Sequence, residues 1–146
     1  MIPAFNSDGN LPPGVHWATW QEFAARFGTT PHRQRLLKGL KSALDSLSKA
    51  GCQVVCIDGS FVTEKENPNE YDCCWDITGV DPNLLHSILL NFDNAQTAQK
   101  LQYLGKLFPA QIEAVSGKTF LNFFQVDKNT GNPKGIVAID LGRTSL

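Results

Sequence analysis

Apolar residues recur along the 146-residue chain with periods that mark out its elements. Trp20, Phe23, Ala24 and Phe27 follow the spacing of one helix face, and Gly28 stops the run. Thr19 and Glu22 fit a capping box at its start, because the Thr hydroxyl and the later Glu carboxylate each satisfy an orphan N–H. A second helix is predicted from Thr30 as cap and Pro31 at the first position, where a missing N–H costs nothing. Leu36, Leu37, Leu40, Ala43, Leu44 and Leu47 give it one broad apolar face, and Gly51 is its natural stop. His32, Arg33, Arg35, Lys38 and Lys41 flank that face and read as solvated helix surface, with an acceptor-binding patch as the alternative.

The period then shortens. The run "CQVVCI" predicts a buried strand ended by Gly59 and Ser60, "VTEKENPNE" a loop, and "YDCCWDI" a return strand. Alternation puts Glu70, Asp72, Cys74 and Asp76 on one face of that strand, and Tyr71, Cys73, Trp75 and Ile77 on the other. Asp81-Pro82 opens a third predicted helix with Leu84, Leu85, Ile88, Leu89 and Phe92 on its apolar side. Another helical piece covers Ala95 to Leu104. The chain then closes with a hairpin of "KTFLNFFQV", a turn in "DKNTGNPKG", and "IVAIDL". Residues 1–16 read as an irregular strap whose Ile2, Phe5, Leu11 and Val15 lie across the domain. The expected order is α-α-β-β-α-α-β-β in a single α/β (α+β) domain spanning 1–146, a length suited to one core.

Composition narrows the partners. With 13 basic and 14 acidic residues the net charge is −1, so the electrostatic footprint of a dedicated nucleic-acid binder is missing. No apolar run is long enough for a transmembrane helix, and the start lacks the features of a signal peptide, so a cytoplasmic protein without membrane attachment is expected. Cys52, Cys56, Cys73 and Cys74 have no zinc spacing and no neighbouring histidine, and they read as buried reduced thiols.

One stretch carries candidate chemistry. In "IDGSFVTEKENPNEYD", Gly59-Ser60 follows an apolar strand, and ten residues beyond Ser60 the acids Glu70 and Asp72 open the next. Glycine lets a polyphosphate approach the backbone, and the Ser hydroxyl and nearby N–H groups can donate to phosphate oxygens. Carboxylates at i and i+2 of a strand point the same way and repel unless a cation or a proton intervenes. Mg²⁺ takes such oxygen ligands and leaves positions for phosphate. Asp76 reads as an ordinary acidic strand end, Tyr71 and Trp75 as core, Lys134-Gly135 as a turn, and His16, His32 and His86 as structural or surface residues.

Gly-Ser followed by acid-apolar-acid resembles the signature of the polymerase-beta-like nucleotidyltransferase superfamily. Across nearly the whole chain, "DGSFVT", "PNEYD", "LFPA" and "PKGIVAIDL" are similar to an uncharacterised bacterial family of short proteins with a minimal form of that fold. The resemblance implies a mixed sheet flanked by helices and Mg²⁺-dependent transfer of a nucleotidyl group from an NTP to a protein or RNA hydroxyl. It further implies a toxin–antitoxin or phage-defence setting with a partner toxin or antitoxin. Gly59 and Ser60 would hold the triphosphate, and Glu70 and Asp72 the metal. A third carboxylate is implied on a later strand. If residues 128–134 form the hairpin turn, Asp140 faces Asn122, which makes Asp140 the candidate third ligand or base and Asp127 the other acid within reach. Glu in place of the superfamily's usual Asp at position 70, and a neutral amide at 122, motivate the alternative of a catalytically degenerate binding module. An antitoxin-like subunit that homodimerises through its helices is a third reading.

Overall fold

A computed structural model describes residues 1–110 and 130–146. Its element order is β1 (Gly14–Ala18), α1 (Trp20–Phe27), α2 (Pro31–Lys49), β2 (Val54–Asp58), β3 (Tyr71–Asp76), α3 (Asp93–Tyr103), β4 (Gly105–Ala110) and β5 (Gly135–Asp140). The described strands form one mixed sheet ordered β1-β5-β2-β3-β4. β1 runs parallel to β5 and β3 parallel to β4, while β2 is antiparallel to both of its neighbours. The α/β class therefore stands, and the order of elements differs from the expected one.

The first two helices start where their caps predict. The Thr19 hydroxyl accepts from the Glu22 N–H at 3.1 Å and the Glu22 carboxylate accepts from the Thr19 N–H at 3.2 Å. Thr30 accepts from the Arg33 N–H, with Pro31 in the first turn. The apolar faces then cover one side of the sheet. Phe23, Phe27, Leu40, Leu44 and Leu47 pack in one cluster with Val55, Ile57, Cys73, Val137 and Ile139, all at 1% exposure or less. Ile2 and Leu11 join that core, so the front of the strap packs as expected. The opposite face holds a smaller buried cluster of Cys56, Cys74, Ile136 and Ala138.

Four expectations are corrected. Residues 14–18, the first three of them read as strap, form β1, at the edge among the described strands, because parallel pairing to β5 supplies backbone partners that no local signal announces. The helix expected from Asp81 is instead two short 3₁₀ turns, Pro82–Leu84 and Ser87–Leu90. Local bonds compete with the helix there: the Asp81 carboxylate accepts from Asn83 N–H, and the Asn91 amide oxygen from Asp93 N–H. The following helix, α3, is close to its expected limits, and a further strand, β4, comes directly after it. The fourth correction concerns the closing hairpin. β5 pairs with β1 on one side and β2 on the other, and Asp140 is opposite Val54. Asn122, Asp127 and the hairpin's predicted first strand lie outside the described residues.

Among the described strands β4 lies at the edge of the sheet, and buried glutamines bond its outer side. The Gln99 side-chain oxygen accepts from the Leu107 N–H at 2.8 Å, while the Gln96 amide donates to the Leu107 carbonyl at 3.1 Å. Two side chains from α3 thus supply what a neighbouring strand would. Gly105, at the start of β4, faces the Tyr71 ring so closely that an added Cβ would lie 2.5 Å from a ring carbon. The Tyr71 hydroxyl donates to the Tyr103 carbonyl at 2.8 Å, which ties β3 to the end of α3.

Candidate functional site

The end of β2 and the start of β3 meet at the same end of the sheet, where Asp58 is opposite Asp72 in the antiparallel register. Their side chains share the face of Cys56 and Cys74, away from the helices. Gly59 then leaves the strand with φ +86 and ψ −173, a conformation open in practice to glycine alone. An ideal Cβ on Gly59 would lie 3.0 Å from an Asp72 carboxylate oxygen, so this carboxylate rests directly against the glycine backbone. Ser60 opens a 3₁₀ turn, Ser60–Val62, and its carbonyl accepts from the Thr63 hydroxyl at 2.6 Å. Gly59, Ser60 and Asp72 are therefore brought together as the spacing suggests.

Glu70 sits just before β3 and its carboxylate is 3.5 Å from the Lys106 ammonium, both side chains about a third exposed. Lys106 is also the register neighbour of Asp72 across the parallel β3–β4 pair. Asp58 is the acid that sequence reasoning passed over. It is 5% exposed and its Oδ1 is 3.1 Å from the Lys134 ammonium, itself largely buried. Two like charges directly opposite on a sheet destabilise it unless a cation lies between or beside them. Lys134 supplies one here, from a position that the sequence marked only as a turn. Three carboxylates and two ammonium groups thus collect at one end of the sheet from four separate places in the chain.

Asp140 is not among them. Val54 is opposite Asp140 and Asp58 opposite Asp72, so the length of β2 separates the two acids, roughly 13 Å at the usual rise per residue. Asp140 instead accepts from the Gly142 N–H and pairs with Arg143 at 3.6 Å in an exposed corner. It borders an open depression of about 520 Å³ that is also lined by Trp17, Thr19 and Glu22. Asp76, at the same end of the sheet as Asp140, accepts from the Thr78 N–H as a strand-end turn does. Tyr71 and Trp75 are buried on the helix-covered face, away from the carboxylates. His16 bonds the Pro12 carbonyl, His32 the Pro68 carbonyl, and His86 stands edge-on to Tyr103.

Arg33 departs furthest from its expected role. It is 4% exposed, and its guanidinium donates to the carbonyls of Phe27, Phe61, Thr63 and Lys65. Burial lowers its pKa below the ordinary guanidinium value, since desolvation penalises the cation. The four cysteines are all free and buried. Burial pushes Cys52 and Cys56 up to about 12, which removes them from nucleophilic chemistry near neutral pH.

Among the described residues, no group of three or more His, Cys, Asp and Glu side chains is arranged to hold a metal ion, and no helix is long and apolar enough to cross a membrane. Hard oxygen donors are nevertheless what Mg²⁺ takes, and Asp58, Glu70 and Asp72 are all of that kind. No curated protein and no solved structure matches the chain. A family model does match, over residues 3–140, nearly the whole length that carries the site. The chain belongs to this family, which is described as a family of unknown function, DUF6932.

Proposed function

We propose that this end of the sheet binds a nucleoside triphosphate with Mg²⁺, and that the protein transfers the nucleotidyl group to a hydroxyl of a protein or RNA acceptor. The observation that carries the reading is the contact between the Asp72 carboxylate and the Gly59 backbone, with Asp58 opposite. It supports a site in which a phosphate-accepting turn and acidic side chains share one small volume. Gly59 lets the backbone lie against Asp72 where a side chain would not fit, and Ser60 is half-buried beside it. Lys106 and Lys134 are available to phosphate oxygens once an anion competes for them.

Glu70 and Asp72, with Asp58, are the residues that would hold the ion. Bound there, Mg²⁺ would neutralise charge on the phosphates and orient them. In the transfer, the acceptor hydroxyl oxygen forms a bond to the α-phosphorus and the α–β phosphoanhydride bond breaks. Pyrophosphate leaves with the electron pair and takes up the hydroxyl proton. Asp140 has no part in this scheme because of its distance.

Calorimetry with ATP, CTP, GTP and UTP, each with and without Mg²⁺, tests the binding step, and transfer of labelled nucleotide to lysate components tests the reaction. The expected result is Mg²⁺-dependent affinity for at least one NTP, and labelling that is lost in Asp72→Asn. A protein that binds none of the four overturns the reading.

A second reading has its own observation. Lys134 and Lys106 already neutralise Asp58 and Glu70, as they would in a site that has given up its metal. A catalytically degenerate binding module, antitoxin-like or otherwise, then follows, and it predicts nucleotide binding unaffected by Mg²⁺ or no nucleotide binding at all.

A further inference from the structure

The turn that follows Gly59 owes its shape to a residue far away in sequence. Arg33 lies on the first turn of α2, with its backbone N–H held by the Thr30 cap. Its guanidinium bonds the Phe61 carbonyl at 2.7 Å, Thr63 at 2.9 Å and Lys65 at 2.6 Å, and the Phe27 carbonyl at the end of α1 at 3.2 Å. The group also stacks over the Phe61 ring at 5.1 Å. Among the described residues it makes no ion pair. A buried cation facing only carbonyls is costly to desolvate, and the return on that cost is geometric. Three alternate carbonyls of one loop are drawn to one rigid, planar donor, which a lysine could not reproduce. The Glu64 N–H, between two of those carbonyls, is in turn held by the Gly9 carbonyl at 2.8 Å.

We propose that Arg33 is the positioning residue of the phosphate-binding turn: its guanidinium holds residues 61–65 so that Gly59 and Ser60 are preorganised to receive an NTP's phosphates. This role rests on the nucleotide reading above. It is separate from the carboxylates and needs no contact between Arg33 and the ligand. Preorganisation raises affinity by removing the ordering cost from the binding step.

The test compares Arg33→Lys and Arg33→Met with the full-length wild type, and with Leu40→Ala as a control for general destabilisation. Leu40 is a fully buried residue two turns along the same helix. Amide hydrogen exchange of residues 59–66 and ATP affinity with Mg²⁺ are both measured. The expected result is exchange at least ten-fold faster in that segment and ATP affinity at least ten-fold weaker in both Arg33 variants, including Lys, which keeps the charge. Methylguanidinium should restore affinity to a third variant, Arg33→Ala, made for this rescue, and Leu40→Ala should leave affinity unchanged. Wild-type affinity in Arg33→Lys, or exchange that does not change, overturns the positioning role while leaving the nucleotide site standing. Absence of ATP binding in the wild type overturns the site itself, and the exchange data then report Arg33 as structural only.

Discussion

Asp58 and Lys134 show how much a single pair can decide. The two side chains are nearly out of water, and Asp58 has a second carboxylate opposite it. Breaking a buried pair by removing one partner strands the other charge, at about 3–5 kcal/mol. Lys134→Met is therefore expected to destabilise the fold by that order in urea titration, and Asp58→Asn combined with it should recover a large part of the loss. Gly59 carries a different constraint. Its φ of +86 excludes most side chains, and a Cβ would press on Asp72. Gly59→Ala is expected to cost about 1–3 kcal/mol and to weaken any nucleotide affinity as well. A variant as stable as the wild type would show that the turn has another accessible shape.

At the scale of elements, the first two helices form where their sequences say, since caps and periodic faces act within a few residues, whereas the cap-and-proline start at Asp81 yields only 3₁₀ turns. The capping box at Thr19 and the cap-and-proline start at Thr30 are both present as expected. Strand partners are another matter. A turn that joins chain neighbours would pair position 140 with 122, yet β5 takes β1 and β2. The β2–β3 pair was within reach, because joining those strands in antiparallel fashion makes paired numbers sum to a constant; 58 and 72, like 56 and 74, give 130. That register would have put Asp58 into the site from sequence alone. The glutamine seal on β4 had no such signal. Gln99→Ala should leave the Leu107 N–H unpaired in the interior, at a cost of about 1–3 kcal/mol. Its exchange protection should fall more than that of the central strands.

The molecule as a whole folds around two apolar faces of one sheet, and four thiols lie within them. Cys52 and Cys56 ionise at about 12 when folded, against an ordinary value of 9.0. Their folded pKa is raised, so the stability they contribute is complete below pH 9 and is lost as pH rises toward 12. Each pH unit in that window removes about 1.4 kcal/mol per thiol. Denaturant midpoints are expected to fall steeply above pH 9, and substitution of Cys56 by Ala should flatten the decline. The same burial predicts that a thiol reagent at pH 8 finds no reactive cysteine in the native protein and four after denaturation.

The sequence by itself determined the two capped helices, the core-facing side of the strands, and the association of Gly59 and Ser60 with Asp72, because each depends on bonds and periods within a short span. Only the tertiary structure decided that β1 exists, that Asp140 stands a strand's length from Asp72, that Asp58 and Lys134 pair, and that Arg33 is a buried clamp. These contacts join residues from distant parts of the chain. Their energy is set by burial and register, which no local pattern encodes.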